Sequence, residues 1–167
     1  MEKPLPLISI RSHRIFKFII SIALPIVIGF TSGYITKSEI NGIWFASLQK
    51  PGFNPPNGIF FPVWTTLYVL MGISMFLVWN SPKTLLRQKA LIIFGVQLIL
   101  NFSWSILFFL FHSLIGSCIE IFLLWIFIIY MVAIFRQIRP SAAYLQVPYF
   151  LWITFASVLN FSIYILN

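Results

Sequence analysis

Long runs of apolar residues, interrupted by short polar and proline-bearing segments, dominate this chain. A run of about 20 apolar residues is the length that an α-helix needs to cross the hydrocarbon core of a bilayer. The pattern predicts helices at approximately 15–36, 59–79, 89–111, 117–135 and 142–165. Asn80-Ser81-Pro82 ends the second helix, and Pro148 predicts a kink or a late start in the fifth. We therefore predict an all-α membrane protein, a five-transmembrane-helix bundle that forms a single membrane domain over 1–167.

Composition supports this prediction and charge gives an orientation. Of the 167 residues, 60% are hydrophobic and only 8% are charged, too few to cover a soluble domain. The net charge of +8 does not indicate a nucleic-acid partner, because the basic residues flank the apolar runs, where they set topology. Nine of the eleven lysines and arginines lie on the N-terminal side of the predicted bundle, namely Lys3, Arg11, Arg14, Lys17, Lys83, Arg87, Lys89, Arg136 and Arg139. This bias predicts an integral membrane protein with a cytoplasmic N-terminus and the lipid bilayer as partner.

The first connection, residues 37–58, is much longer than a typical loop between helices, and long loops of this kind are usually functional. It carries Trp44 and Phe45, and Pro51, Pro55 and Pro56 stiffen it. The aromatic residues give the loop an apolar underside. We interpret it as a lid over one end of the bundle.

Three predicted helices carry polar or aromatic residues at spacings of three or four, so each set shares one helical face. Carboxamides in hydrocarbon are costly unless hydrogen-bonded, so these faces are expected to point into the bundle. Two interpretations stay open: contact with a ligand, and interhelical hydrogen bonds worth about 0.6 kcal/mol each. For Ala156 taken alone, the better interpretation is a small residue that lets two helices approach closely. The stripes are Trp64, Tyr68 and Met71 on the second helix, Gln97, Asn101, Trp104 and Ser105 on the third, and Tyr149, Trp152, Ala156 and Asn160 on the fifth.

With five spans, these stripes fall mostly in the half of the bundle next to the lid, which predicts a pocket there. Indoles stack on flat rings and amides meet polar edges, so the ligand class that fits is a porphyrin, with no obligatory cofactor. Lys50 either meets a ligand carboxylate or is an ordinary interfacial cation. No metal site is predicted, because His112, Cys118 and Glu120 lack a second ligand group. Glu120 is instead interpreted with Ser117 as a capping box that starts the fourth helix.

Gly29 and Gly33 form a GxxxG pair on the first predicted helix. Small residues at this spacing let two helices approach closely. The pair predicts tight packing, either within the bundle or across a homodimer that uses this or another helix face.

A specific motif then gives a resemblance. Residues 44–56 read W-x3-L-x-K-P-x-F-x-P-P, and with 62–72, 97–109 and 148–160 the chain resembles the tryptophan-rich sensory protein (TspO) family, the bacterial branch of the translocator protein or peripheral benzodiazepine receptor family. The resemblance implies a five-helix bundle, often dimeric, with a pocket under the first loop. It implies binding of porphyrins and, in some members, of sterols and benzodiazepine-type drugs.

By motif match, the resemblance assigns Trp64 and Trp152 to the two sides of the ligand, also as redox partners if the ligand is photo-oxidised. Its other implied contacts are Asn101, Trp104 and Ala156 in the wall and Trp44, Phe45 and Pro55 in the lid. The chain departs from the family in two places. Phe45 stands where a tyrosine is common, and the sterol-recognition pattern of animal members is absent around Tyr164, which weakens the expectation of sterol binding.

Three functions are compatible with these residues. The leading hypothesis is a tetrapyrrole-binding membrane protein of the sensor or stress-response type. The first alternative is an enzyme that degrades porphyrin in light, with Trp64 and Trp152 relaying electrons; the predicted pocket supplies no general acid or base, so the excited porphyrin and oxygen would supply the chemistry. The second is a transporter of porphyrin or other small apolar molecules, although no internal repeat supports it.

Overall fold

The computed structural model describes the backbone of residues 7–167 and the side chains from residue 12 onward. All regular structure in this part of the chain is helical, and five helical stretches are long and apolar enough to cross a membrane, which confirms the predicted fold class. Lys3 and the Arg11 side chain, both used in the topology prediction, lie outside the described residues. The helices are α1 (Leu7–Ile40), α2 (Ile43–Ser47), α3 (Phe60–Trp79), α4 (Leu85–Ser105), α5 (Leu114–Ile138), α6 (Pro140–Leu145) and α7 (Val147–Leu166), with a 3₁₀ turn at Asn57–Ile59 and a π-helical turn at Ile106–Leu110.

Several boundaries differ from the predicted ones because local structure extends the helices. The first helix continues to Ile40, and α2 makes part of the predicted 37–58 loop helical. The connection between α1 and α3, residues 41–59, is called the lid below. The third spanning helix begins at Leu85 rather than at 89, because the Thr84 side chain accepts a hydrogen bond from the Arg87 N–H at 3.1 Å.

The prediction of a capping box at Ser117 and Glu120 is wrong. Helix α5 begins one turn earlier, where Ser113 Oγ accepts a hydrogen bond from the Gly116 N–H at 3.3 Å. Ser117 and Glu120 lie inside the helix and are buried. Glu120 accepts a hydrogen bond from Ser103 of α4 at 3.0 Å, so its partner is another helix rather than its own free amides.

The fifth predicted helix is interrupted, as Pro148 indicated. Helix α6 ends at Leu145, and α7 begins at Val147 with Pro148 in its first turn. A proline has no N–H to donate and fits the first turn of a helix, so α7 starts here instead of continuing α6. The break turns α7 into a separate element that positions Tyr149 and Trp152.

Polarity is distributed as in a membrane protein, with amides inside and aliphatic side chains outside. Gln97 and Asn101 are 0% and 5% exposed, whereas Ile92, Leu151 and Val158 are 67%, 60% and 54% exposed. In water this arrangement would be unfavourable, because it exposes apolar side chains and buries polar ones. In a bilayer the surroundings are apolar, so aliphatic side chains face the lipid and polar side chains find partners inside the bundle.

Close packing between α1 and α3 uses one of the two predicted glycines. The Tyr68 ring occupies the space beside Gly29, where a Cβ would clash with it. Gly33 faces open space, since no heavy atom lies within 4 Å of the point where a Cβ would stand. Gly29 therefore serves packing within the chain, and the homodimer stays a prediction.

Candidate functional site

A chain of hydrogen bonds joins three helices at the centre of the bundle. The Tyr68 hydroxyl of α3 donates to Asn101 Oδ1 at 3.0 Å, and Asn101 Nδ2 donates to the Tyr149 hydroxyl at 3.2 Å. The Tyr149 hydroxyl in turn donates to Gln97 Oε1 at 3.0 Å. All four side chains are buried. Of the two interpretations of the carboxamide stripe, interhelical hydrogen bonding is therefore realised for Gln97 and Asn101.

A small enclosed space, called the interior cavity, lies beside these hydrogen-bonded side chains. It is lined by Trp64, Asn101, Trp104, Ile121, Leu124, Ile153 and Ala156. Four predicted site residues from three helices thus meet around one space. Its volume is about 10 Å³, which is close to the least that one water molecule needs. In this conformation the cavity is closed and does not hold a macrocycle.

A much larger space lies outside the interior cavity, in the groove between α3 and α7. This α3–α7 groove has a volume of about 510 Å³ and opens toward the membrane. Its lining residues are Pro62, Val63, Thr66, Leu67, Leu70, Pro148, Leu151, Trp152 and Phe155. Trp152 thus lines the groove, whereas Trp64 lines the cavity. The two indoles that the motif pairs face neighbouring spaces on either side of the α3–α7 seam.

The π-helical turn at the end of α4 holds the aromatic wall of the site. Trp104 stacks on Phe108, with ring centroids 5.5 Å apart and planes at 20°. Its buried indole N–H has no hydrogen-bond acceptor among the described residues. Because π-helical turns cluster at functional sites and buried donors are normally paired, this donor is available to a bound acceptor.

The lid rests on this aromatic wall. Trp44 stacks on His112, with centroids 4.0 Å apart and planes at 11°, and Phe45 packs edge-on against Phe109. His112 Nε2 lies 3.1 Å from a Glu39 carboxylate oxygen, which ties the end of α1 to the turn before α5. The predicted lid residues Trp44 and Phe45 therefore cover the π-helical turn.

Hydrogen bonds hold the rest of the lid, and two of them join it to Asn167. Asn167 Oδ1 accepts from the Gln49 N–H at 2.9 Å, and Asn167 Nδ2 donates to the Gln49 carbonyl at 3.0 Å. We call this two-way pair the latch. Lys50 donates to the Phe45 carbonyl and lies over the Phe45 ring, so it acts as a brace inside the lid. Pro55 contributes its carbonyl, which accepts from the Asn54 side chain at 3.1 Å.

Among the predicted site residues of the spanning helices, Asn160 and Ser105 lie outside the central chain of hydrogen bonds, the interior cavity and the groove. Asn160 is buried and donates to Ser117 Oγ at 3.1 Å and to Cys118 Sγ at 2.8 Å, so it joins α7 to α5. Ser105 is half-buried at the end of α4. Neither is among the residues that line the interior cavity or the groove.

Two residues that were not among the predicted ligand contacts are central to the site, although Tyr149 was on the predicted stripe of the fifth helix. Tyr149 links Asn101 to Gln97 and packs edge-on against Trp64, with centroids 6.4 Å apart. A tyrosine hydroxyl inside a span needs a polar partner, and that signal was present in the sequence. The role of His112 as the stacking surface for Trp44 carried no sequence signal, because it depends on the backbone of a turn with φ 51°.

These features define a class of protein, a five-helix membrane bundle with an aromatic cavity beneath a lid. The model of the TspO/MBR family matches residues 21–166, and the chain belongs to that family, which makes it an integral membrane protein. It is 40% identical over 155 residues to the tryptophan-rich protein TspO of Archaeoglobus fulgidus, covering 92% of this chain and 99% of the relative. It is 33% identical to the translocator protein of Ovis aries, over 82% of this chain and 87% of the relative. It is 32% identical to the tryptophan-rich sensory protein of Cereibacter sphaeroides, over 82% and 83%.

Proposed function

We propose that this protein binds a tetrapyrrole, a protoporphyrin or haem precursor, as a sensor or stress-response component of the membrane. The observation that carries the proposal is the meeting of Trp64, Asn101, Trp104 and Ala156 around one cavity beneath the lid. Indole faces suit a flat conjugated ring, and the unpaired Trp104 N–H suits an acceptor on that ring. Ala156 leaves space beside the two indoles.

The binding mode requires the seam between α3 and α7 to open. The interior cavity is closed at about 10 Å³, but the adjoining α3–α7 groove has about 510 Å³, within the range of about 300–1,000 Å³ that small-molecule pockets occupy. Separation of the seam merges the two spaces and leaves Trp64 and Trp152 on opposite sides of the ligand. Within the described chain no hydrogen bond joins α3 directly to α7, so this separation breaks none. In this binding mode the ligand carboxylates point to the lid end of the bundle, where Lys37 and Lys50 lie. The proposed topology keeps the N-terminus in the cytoplasm, which puts the lid end on the opposite side of the membrane.

Tryptophan fluorescence tests the proposal directly. Titration of the purified protein in detergent with protoporphyrin is expected to quench the indoles to saturation. Trp64→Phe and Trp152→Phe are each expected to weaken binding by about 2- to 10-fold, because a ring pair contributes about 0.5–1.5 kcal/mol. Trp79→Phe, which changes an indole at the opposite end of α3, is the matched control. Equal affinities in all four proteins contradict the proposed site.

A second candidate function is light-dependent breakdown of the bound porphyrin. What favours it is a path of oxidisable rings, since Trp64 stacks on Tyr68 at 5.4 Å and Tyr68 is joined through Asn101 to Tyr149. In this scheme the excited porphyrin is oxidised, molecular oxygen is reduced by the electrons it loses, and Trp64 and Trp152 relay those electrons. Illumination with protoporphyrin and oxygen, followed by absorbance, tests it. Equal loss rates and products in Trp64→Phe, Trp152→Phe and the unaltered protein rule it out.

A further inference from the structure

Two cations converge on the carboxyl end of α3. Lys17 Nζ of α1 and Arg87 Nη1 of α4 both donate to the Trp79 carbonyl, at 3.4 and 3.3 Å. Arg87 Nη1 also donates to the Ser81 carbonyl at 2.8 Å. Two full positive charges from different helices therefore share one neutral acceptor.

No carboxylate balances this pair within the described part of the chain. The acidic residues described there are Glu39, which lies beside His112 at the lid end, and Glu120, which accepts from Ser103. The third acid of the sequence, Glu2, lies outside the described residues. The end of the bundle opposite the lid, called the basic end, also carries the exposed cations Lys83, Lys89 and Arg136.

The helix end offsets only part of this charge. The carboxyl end of a helix carries about half a negative charge, against two positive ones here. Arg87 is 8% exposed, and its buried Nε has no hydrogen-bond partner among the described residues. A buried guanidinium next to an ammonium is costly without an anion, and the described residues supply none to this pair.

We propose that the phosphate of an acidic phospholipid headgroup binds at Lys17 and Arg87. The site lies at the carboxyl end of α3, a helix long and apolar enough to span the membrane, and the proposal places it at the depth of the headgroups. Trp79 beside it is an indole at a helix end, as interfacial anchors are. Basic pockets between spanning helices bind acidic headgroups, and guanidinium pairs well with phosphate. The proposal is independent of tetrapyrrole binding, because this site is at the other end of the bundle.

Lipid-dependent thermal unfolding tests this site. The midpoint of the purified protein is measured in neutral detergent with added phosphatidylglycerol, with phosphatidylcholine, or with inorganic phosphate. Phosphatidylglycerol alone is expected to raise the midpoint. Lys17→Gln is expected to lose most of that increment, and Arg87→Lys, which keeps the charge, to retain part of it. The matched controls Lys37→Gln at the lid end and Arg136→Gln elsewhere at the basic end are expected to keep it.

Each arm of the experiment has a contrary result. An equal increment in Lys17→Gln and the unaltered protein overturns the site. Equal losses in Lys17→Gln and Arg136→Gln show attraction to the whole basic end and also overturn it. An increment from inorganic phosphate equal to that from phosphatidylglycerol overturns the assignment to a lipid. Lys17 is half-buried on α1, so Lys17→Gln is expected to keep the fold even if Arg87 variants do not.

Discussion

The two sides of α3 differ in how tightly they are packed. Toward α1, the Gly72 backbone approaches so closely that an added Cβ would lie 2.7 Å from Ile22 Cα and 2.7 Å from the Ser21 carbonyl oxygen. Toward α7, the same helix leaves a groove of about 510 Å³. Small residues bring the backbones of α1 and α3 together on one side. On the other side α3 meets α7 through large rings, such as Trp64 against Tyr149, and a groove stays open beside them.

Helix α7 is tied to other elements instead. Tyr149 bonds to α4, Thr154 accepts from the Trp125 indole of α5 at 2.9 Å, and Asn160 bonds to α5. Its last turn is joined to the lid by the latch at Asn167. The contrast is that hydrogen bonds join α7 to α4, α5 and the lid, whereas none in the described part of the chain joins it to α3. The proposed binding mode therefore opens the bundle at the α3–α7 seam.

Gly72→Ala is expected to give the largest effect, because its methyl meets backbone atoms that cannot rotate away. Overpacking of this kind typically costs about 1–3 kcal/mol. Unfolding of the purified variant in detergent is expected to show a loss in that range. Gly95→Ala is the control, since no atom lies within 4 Å of its Cβ position. If both glycine variants unfold alike, the α1–α3 contact is no tighter than the rest of the bundle.

Tyr68→Phe is expected to cost about 1 kcal/mol, because Asn101 Oδ1 loses its donor while buried. The same unfolding measurement applies, with Tyr34→Phe as control, since Tyr34 is 82% exposed. A stability for Tyr68→Phe equal to that of Tyr34→Phe would mean that the hydroxyl chain contributes nothing to holding α3 against α4.

Asn167→Ala tests the latch and is expected to have a local effect. Loss of two hydrogen bonds to Gln49, each worth about 0.5–1.5 kcal/mol, is expected to speed exchange of the Gln49 amide and of the neighbouring lid by about 5-fold or more. Exchange measured by mass spectrometry without ligand gives the answer. Ser162→Ala, which removes a bond only within α7, should leave lid exchange as it is.

Thr66→Val is expected to have the smallest effect. Thr66 lines the groove, and its hydroxyl donates to the Pro62 carbonyl of its own helix rather than across the seam. The change in unfolding free energy is expected to stay within about 0.5 kcal/mol. A loss comparable to that of Gly72→Ala would show that the α7 side of α3 is as tightly packed as the α1 side.

Much of the fold was predictable because each spanning helix is marked in the sequence by a long apolar run with polar or proline residues at its ends. The predicted second helix at 59–79 differs from α3 by one residue at its start, since apolar length and Pro82 set both ends. The polar inner faces containing Gln97 and Asn101 were also predictable, since hydrocarbon excludes amides. The start of α5 was not, because Ser113 and Ser117 are equally good local caps and the choice depends on what Glu120 meets on α4.

The sequence predicted that some of the candidate residues converge, and their role in binding stays a prediction. Trp64, Asn101, Trp104 and Ala156 meet as expected, since helical spacing and the lid restrict which faces can converge. The position of Trp152 in the groove depends on the break at Gln146 and on the width of the α3–α7 seam. Neither property is local, so neither can be predicted from the residues on one face of a single helix.

The sequence alone determined that this chain has five membrane-spanning helices, belongs to a recognisable family and turns Gln97, Asn101, Trp64 and Trp104 inward. Those properties follow from the length, period and polarity of single segments, because each spanning helix must satisfy its own backbone hydrogen bonds in the bilayer. Only the tertiary structure decided which seam is tight, which donor stays unpaired, and that two cations meet at the end of α3. Such properties arise from contacts between segments distant in the chain, where fractions of an ångström separate a packed interface from a groove.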